Sequence, residues 1–306
     1  MPRIAPEIFK AYDIRGSVDR TLTTEAAELI GRAFGSQALL EGTPRVAIGR
    51  DGRLSGPKLA EALAHGLRSA GCDVVDVGRV TTPILYFAAH HLGTRYGIMV
   101  TGSHNPPEYN GLKMVMADRA IAGEDIQALR RRIEGNDFAS GQGSYGTADV
   151  GQAYIDRVVG DVKLARPIDL LVDCGNGVAG AYAPVLYRGL GCQVTELFCD
   201  VDGSFPNHHP DPSVPDNLND VIQALKTSDA EIGLAFDGDG DRLGIVTKDG
   251  HIVNADRQLM LFAADVLSRN PGGKIIFDVK CTRNLASWIS QHGGTPVMWK
   301  TGHSFI

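Results

Sequence analysis

Val46-Ala47-Ile48-Gly49 runs directly into Arg50-Asp51-Gly52-Arg53, and this junction decides the fold. The first four residues are an apolar run of strand length; the next four are polar and carry a glycine that permits a tight turn. From Ser55, the expected N-cap, the apolar residues switch to helical spacing, with Leu59, Ala60, Leu63, Ala64 and Leu67 on one face. Gly71-Cys72 stops that helix, and Val74-Val75-Asp76-Val77 begins the next strand. Strand, polar loop, helix, glycine stop and strand make a βαβ unit, whose strands lie parallel.

The same order recurs twice. Leu170-Leu171-Val172 leads to Asp173-Cys174-Gly175-Asn176-Gly177, then a helix to Gly191-Cys192, then Val194 to Phe198. Ile275-Ile276-Phe277 leads to Asp278-Val279-Lys280, then a helix to Gly293-Gly294, then Pro296-Val297-Met298. Asp51, Asp173 and Asp278 hold equivalent places, so the reading is three successive α/β domains with mixed sheets of similar architecture. Punctuation sets the boundaries: Gly135 to Thr147 is rich in Gly and Ser, and Asp249-Gly250 is a turn. The domains are therefore expected at 1–147, 148–250 and 251–306. A helix is expected over 148–162, and another after the cap Thr23-Thr24-Glu25 with Leu29, Ile30, Ala33 and Phe34 as its apolar face. Tyr12-Asp13-Ile14-Arg15-Gly16 precedes any periodic segment and reads as loop.

Thirty Lys and Arg against 36 Asp and Glu give a net charge of −6, which argues against a nucleic-acid surface but leaves room for a local basic cleft. A mean hydropathy near zero describes a globular chain. No apolar run approaches the roughly 20 residues of a membrane-spanning helix. Met1-Pro2-Arg3-Ile4 opens no apolar core of a secretion signal. The cysteines (72, 174, 192, 199 and 281) lack metal-ligand spacing and read as free thiols of a reducing cytoplasm.

Two loops carry chemistry. The first lies in Gly97-Ile98-Met99-Val100-Thr101-Gly102-Ser103-His104-Asn105-Pro106-Pro107, a buried strand that ends in a helix-forbidding turn. It delivers Ser103 at a strand's end, where open α/β sheets place their ligands, as a nucleophile or covalent phosphate carrier. Taken alone, the loop reads more readily as a polar turn whose Ser, His and Asn satisfy backbone groups, and it is the second loop that shifts the balance. The second loop, Asp237-Gly238-Asp239-Gly240-Asp241-Arg242, follows the apolar run Ile232 to Phe236. Three carboxylates at alternate positions suit a hard divalent cation and repel one another without it. A calcium loop would need a Glu further on, where Leu243-Gly244-Ile245-Val246 is apolar. Arg242 beside them fits a phosphate. The irregular segment Asp202 to Pro212 carries His208 and His209, which line a domain seam or ligate a metal.

Thr101-Gly102-Ser103-His104-Asn105-Pro106 together with Asp237-Gly238-Asp239-Gly240-Asp241-Arg242 resembles the α-D-phosphohexomutase family. Phe9-Lys10-Ala11-Tyr12-Asp13-Ile14-Arg15-Gly16, Asp278-Val279-Lys280-Cys281-Thr282 and Trp299-Lys300-Thr301-Gly302-His303-Ser304 resemble its phosphomannomutase/phosphoglucomutase branch. The resemblance implies reversible conversion of mannose or glucose 1-phosphate to the 6-phosphate, through phosphorylated Ser103 and a hexose 1,6-bisphosphate. It implies Mg²⁺ on Asp237, Asp239, Asp241 and a Ser103-borne oxygen, with Arg15 and Arg242 steadying the phosphoryl group. Lys113 and His104 become candidates for moving the hydroxyl proton, and Tyr12, Arg15, Lys280 and His303 for binding substrate. The implied partners are small sugar phosphates, with neither nucleic acid nor membrane, and the complete protein is expected to be a cytoplasmic monomer. The third unit reaches Ile306 before any counterpart of the serine and aspartate loops, so an incomplete third domain and an absent fourth are expected. Alternatives are a phosphoglucosamine mutase, a Mg²⁺-dependent phosphatase or phosphodiesterase acting through Ser103, or a catalytically idle sugar-phosphate binder. The family's glucosamine branch has Ala before the serine where this chain has Gly102.

Overall fold

A seven-stranded sheet, a five-stranded sheet and a pair of strands follow one another along the chain in a computed structural model that describes residues 4–306. Residues 1–3, part of the expected first domain and of the stretch read against a secretion signal, lie outside the described residues.

The first sheet contains β1 (Ile14–Ser17), β2 (Arg45–Arg50), β3 (Asp73–Arg79), β4 (Gly97–Val100), β5 (Tyr109–Met116), β6 (Arg119–Ala120) and β7 (Tyr145–Thr147). Its order is β1-β5-β4-β2-β3-β7, with β6 paired to β5. Strands β2, β3, β4 and β7 run parallel, while β5 is antiparallel to both β4 and β1. Side chains alternate across the sheet as strand geometry requires. Val46, Ile48, Ile98 and Val100 enter a core with α1 (Thr24–Leu40), α2 (Gly56–Ala70) and α4 (Glu124–Glu134). Ala47 and Met99 enter another with α3 (Thr82–His91). Burial on both faces explains why these strands read as unbroken apolar runs. Helices α1 and α2 approach closely because Gly31 and Gly66 lack side chains: a Cβ on Gly66 would lie 2.0 Å from the Glu28 carbonyl oxygen.

The second sheet repeats the plan. After α5 (Gly151–Asp161) come β8 (Asp169–Asp173), α6 (Ala183–Gly189), β9 (Gln193–Leu197), α7 (Asn219–Thr227), β10 (Ile232–Phe236), β11 (Leu243–Thr247) and β12 (Ile252–Val253). Its order, β12-β11-β10-β8-β9, sets β11-β10-β8-β9 against β5-β4-β2-β3 of the first sheet, with the same parallel and antiparallel senses. Strand β12 lies past residue 250 and still pairs with β11. Then α8 (Ala255–Arg269) precedes β13 (Lys274–Phe277), α9 (Asn284–Gln291) and β14 (Thr295–Met298); β13 and β14 are parallel, as β2 and β3 are. Fold class and repeat are thus as expected.

Three local readings change. Tyr12 to Gly16 is not all loop: β1 pairs Ile14 with Leu112 and Arg15 with Gly111, a register set by a strand nearly a hundred residues away. The glycine-rich stretch to Thr147 contains β7, an exposed edge strand held by its backbone to β3. Thr23 caps α1 by accepting from the Ala26 N–H, but Ser55 makes no such bond; its hydroxyl accepts instead from Asn110.

Candidate active site

Each chemistry-bearing loop leaves the C-terminal end of an equivalent strand, β4 for Ser103 and β10 for Asp237. Asp51, the shared aspartate of the first unit, builds the serine loop from within. Its carboxylate accepts from the Thr101 hydroxyl (2.7 Å) and the Gly102 N–H (3.1 Å), and the Thr101 oxygen accepts in turn from the Ser103 N–H (2.8 Å). These bonds hold Ser103 at φ +50°, a conformation uncommon for a side-chain-bearing residue and a cost the loop's bonds must offset. Its hydroxyl donates to Asp237 Oδ2 at 2.9 Å, and His104 Nδ1 lies 3.3 Å away. Burial, then Arg242, pushes the His104 pKa down to about 4, so the imidazole is neutral near pH 7.

The three aspartates converge. One carboxylate oxygen from each of Asp237, Asp239 and Asp241 lies within 4.8 Å of the others. Asp237 Oδ1 accepts the N–H groups of Asp241 and Arg242 (3.0 and 3.1 Å), which closes the loop on itself. Asp239 Oδ2 accepts from Thr82 (2.5 Å) and from Lys113 Nζ (2.7 Å), and the same ammonium reaches Asp241 at 2.5 Å. Asp239 Oδ1 is buried and has no partner among the described residues. Burial and the neighbouring charges of Asp239 and Asp241 hold the Asp237 carboxyl well above the usual range. Burial would raise Asp239 too, but Lys113 outweighs it and holds that pKa low. The orphaned buried oxygen and the three converging carboxylates are features that a cation would satisfy. The donor set fits a hard divalent cation.

Above the aspartates lies a cavity of about 240 Å³, lined by Tyr12, Arg15, Ser103, His104, Lys113, Asp241, Arg242 and His303. All eight are sequence candidates, and Asp237 and Asp239 lie buried beneath. Arg15 is braced by Asp13 at 2.5 Å, and the half-exposed Arg242 lies 3.9 Å from Asp237. His303 sits edge-on to Tyr12 at 5.4 Å, and Ser304 donates to the Tyr12 carbonyl. Lys280 is not brought in: it is 72% exposed, with Asp278 at 3.7 Å. Its loop follows β13, the counterpart of β2 and β8, and the strands that deliver Ser103 and Asp237 are β4 and β10. The cavity therefore pairs three basic side chains with an acidic floor, an arrangement able to bind a phosphate over a cation.

Sequence comparison agrees with this geometry. Family profiles for phosphoglucomutase/phosphomannomutase alpha/beta/alpha domains I, II and III match residues 6–140, 152–250 and 254–306 in that order. The chain belongs to the phosphoglucomutase/phosphomannomutase family. A phosphoglucomutase of Neisseria gonorrhoeae is 61% identical over 308 residues, spanning 100% of this chain and 67% of the relative. A phosphomannomutase/phosphoglucomutase of Pseudomonas aeruginosa is 59% identical, spanning 100% and 66%. A solved phosphoglucomutase/phosphomannomutase family protein of Burkholderia thailandensis superposes with a TM-score of 0.96 at 60% identity, over 99% of this chain and 68% of that one. The chain thus spans about two thirds of the length of these relatives, which are hexose-phosphate mutases by name.

Two residues of this candidate site, Thr82 and Arg53, escaped sequence reading, and His209 was read there only as lining a seam or ligating a metal. Thr82 holds Asp239 by its hydroxyl and, through its N–H, the Asp239 carbonyl. His209 Nε2 meets the His104 carbonyl at 2.5 Å, so the His208-His209 segment does line the seam between serine loop and second domain. Arg53, taken as loop polarity, lies wholly buried under the serine loop. None has a local signature; each is defined by a partner more than 45 residues away.

Proposed function

We propose that the protein interconverts hexose 1-phosphates and 6-phosphates of glucose or mannose, with Ser103 as the phosphoryl carrier and Mg²⁺ as the cation of the aspartate triad. The observation that carries this reading is the juxtaposition of Ser103 Oγ with Asp237, 2.9 Å apart, at the floor of a cavity with basic walls. In the forward step, the sugar's free hydroxyl attacks the phosphorus on Ser103. The P–Oγ bond breaks, a P–O bond to the sugar forms, the sugar hydroxyl proton leaves to a base, and the released Ser103 Oγ takes up a proton to restore its hydroxyl. Arg15 and Arg242 hold the phosphoryl oxygens by their guanidinium forks and stabilise charge as it spreads over them. His104, neutral and beside Ser103 Oγ, is the group able to accept the proton. Lys113, kept charged by Asp239 and Asp241 despite its burial, acts as counter-charge and donor. Tyr12 and His303 form the wall against which the sugar rests. The hexose 1,6-bisphosphate then turns over and returns its other phosphoryl group to Ser103. Asp237, Asp239, Asp241 and a Ser103-borne oxygen would hold Mg²⁺, which when bound polarises the phosphate and neutralises its charge. Among the described residues no helix is long and apolar enough to cross a membrane. Five free cysteines support a reducing cytoplasm as its place.

The test uses ³²P-labelled glucose 1,6-bisphosphate with Mg²⁺. Label should appear on Ser103 and pass to added glucose 6-phosphate or mannose 6-phosphate. Label that passes equally in Ser103→Ala, or that leaves only as inorganic phosphate, would overturn the mutase reading, the latter in favour of a phosphatase.

A further inference from the structure

The serine loop is folded around a guanidinium. Arg53 Nη1 donates to the carbonyls of Pro106 (2.7 Å) and Tyr109 (2.9 Å), and Nη2 to those of Ser103 (3.0 Å) and Asn105 (2.5 Å). Its Nε lies 3.4 Å from Asp51, the same carboxylate that accepts from Thr101 and Gly102. Four main-chain oxygens of one loop therefore point inward at one side chain that is 2% exposed. Without it these carbonyls would lose the one side chain that gathers them, the Ser103 oxygen on the buried side of the loop among them. Gly102 makes room: a Cβ there would lie 2.3 Å from Arg53 Cζ. The second domain closes the other side. Phe205 places its ring 5.2 Å from Arg53 Cζ, and a Cβ on Gly203 would lie 2.9 Å from Arg53 Cα.

We propose that Arg53 is a positioning residue for phosphoryl transfer. It fixes the Ser103 main chain, hence the direction of Ser103 Oγ, and Phe205 sets the guanidinium in turn, tying that direction to the second domain's 202–205 loop. The inference rests on Ser103 as phosphoryl carrier. In-line transfer depends steeply on aim, a misplacement of about 1 Å costing roughly 100-fold. Lysine cannot replace this arginine, because three donors on one nitrogen cannot span four carbonyls and a carboxylate.

The full protein and its Arg53→Lys, Phe205→Leu and Ser103→Ala variants are loaded with phosphate from glucose 1,6-bisphosphate, and the loading is counted by intact mass. Single-turnover transfer to glucose 6-phosphate is then measured per phosphorylated Ser103, so that loss of folded protein does not enter. Mn²⁺ binding to the aspartates is measured in parallel. Arg53→Lys should keep its Mn²⁺ affinity and transfer roughly 100-fold more slowly, and Phe205→Leu should be slowed less, by about ten-fold. Failure of Arg53→Lys to load while still binding Mn²⁺ is the same result at the loading step. If Arg53→Lys does not fold, Phe205→Leu decides. Wild-type transfer per phosphoserine, with only a lowered melting temperature, overturns the proposal and leaves Arg53 a stability residue. Transfer by Ser103→Ala would instead remove the phosphoserine reading itself. An inert Ser103→Ala beside wild-type rates in the other two removes only the Arg53 inference.

Discussion

Replacing Lys113 by methionine tests the electrostatics of the aspartate floor. The Lys113 side chain is 7% exposed and serves two carboxylates, Asp239 at 0% and Asp241 at 25%. Methionine keeps most of the apolar stem and removes the charge. Asp239 is then left buried with Thr82 as its remaining side-chain donor, besides the oxygen that already lacks a partner. Removing one partner of a buried pair costs about 3–5 kcal/mol. Water can reach Asp241, so the lower end, about 3 kcal/mol, is expected here. For domains of this size that is a fall in melting temperature of roughly 6–12 °C. A divalent cation supplies the same counter-charge as Lys113 and is repelled by it. Its affinity should therefore rise in the variant, each ten-fold adding about 1.4 kcal/mol of stabilisation at saturating metal. Thermal unfolding of both proteins with and without Mg²⁺ gives the two increments. The Mg²⁺ increment should be larger in Lys113→Met, and the gap between the proteins should narrow when metal is present. Equal increments, or a metal-free loss below about 1 kcal/mol, would show that Lys113 is not the counter-charge of a metal site.

Asp239→Asn neutralises the carboxylate with the orphaned oxygen and should weaken Mn²⁺ binding by calorimetry at least about ten-fold, or 1.4 kcal/mol; unchanged affinity would place the metal elsewhere. For His208, burial lowers the pKa, but the bond to Asp173 (2.8 Å) and its charge outweigh burial, and the net shift is upward. Protonation therefore favours the folded state: the stabilisation is complete below the ordinary pKa of about 6.5 and is lost as pH rises through the folded value. His208→Gln should consequently lower the melting temperature more at pH 6 than at pH 8.5, and an equal loss at both would refute the pair. Gly66→Ala puts a Cβ 2.0 Å from the Glu28 carbonyl oxygen in the α1–α2 contact and should cost about 1–3 kcal/mol in urea unfolding; a neutral result would mean the helices separate freely.

The fold was legible where neighbours in sequence are neighbours in space. A βαβ unit announces itself locally, because its strands are buried on both faces and its helices end at glycines such as Gly71, at φ +114°. What could not be read is what long-range backbone pairing decides. Nothing in Ile14-Arg15-Gly16 distinguishes loop from strand until Leu112-Gly111-Asn110 lies beside it. Ser55 has the composition of a helix cap, yet its hydroxyl is taken by Asn110, 55 residues away. The candidate site residues stood out in the sequence because three alternate carboxylates, and a serine before paired prolines, are unusual composition in a short loop. Their supports did not: one arginine or one threonine becomes informative only when its partner is known.

The repeat explains which loops form the candidate site. In each of the first two domains the loop after the first strand of the βαβ unit braces, and the loop after the third parallel strand acts. Asp51 takes the Arg53 and Gly102 N–H groups, and Asp173 takes the Gly175 N–H and His208. Asp278 takes the Lys280 N–H in the same manner. Lys280 thus lies in a bracing loop, which accounts for its pointing to solvent while Ser103 and Asp237, from the acting loops, touch. The acting loops belong to different domains, so their contact depends on the seam between them. Thr82 on Asp239 and His209 on the His104 carbonyl each cross that seam beside a reactive group. Two copies of one architecture bring the Ser103 loop of one against the Asp237 loop of the other. Neither domain alone presents both.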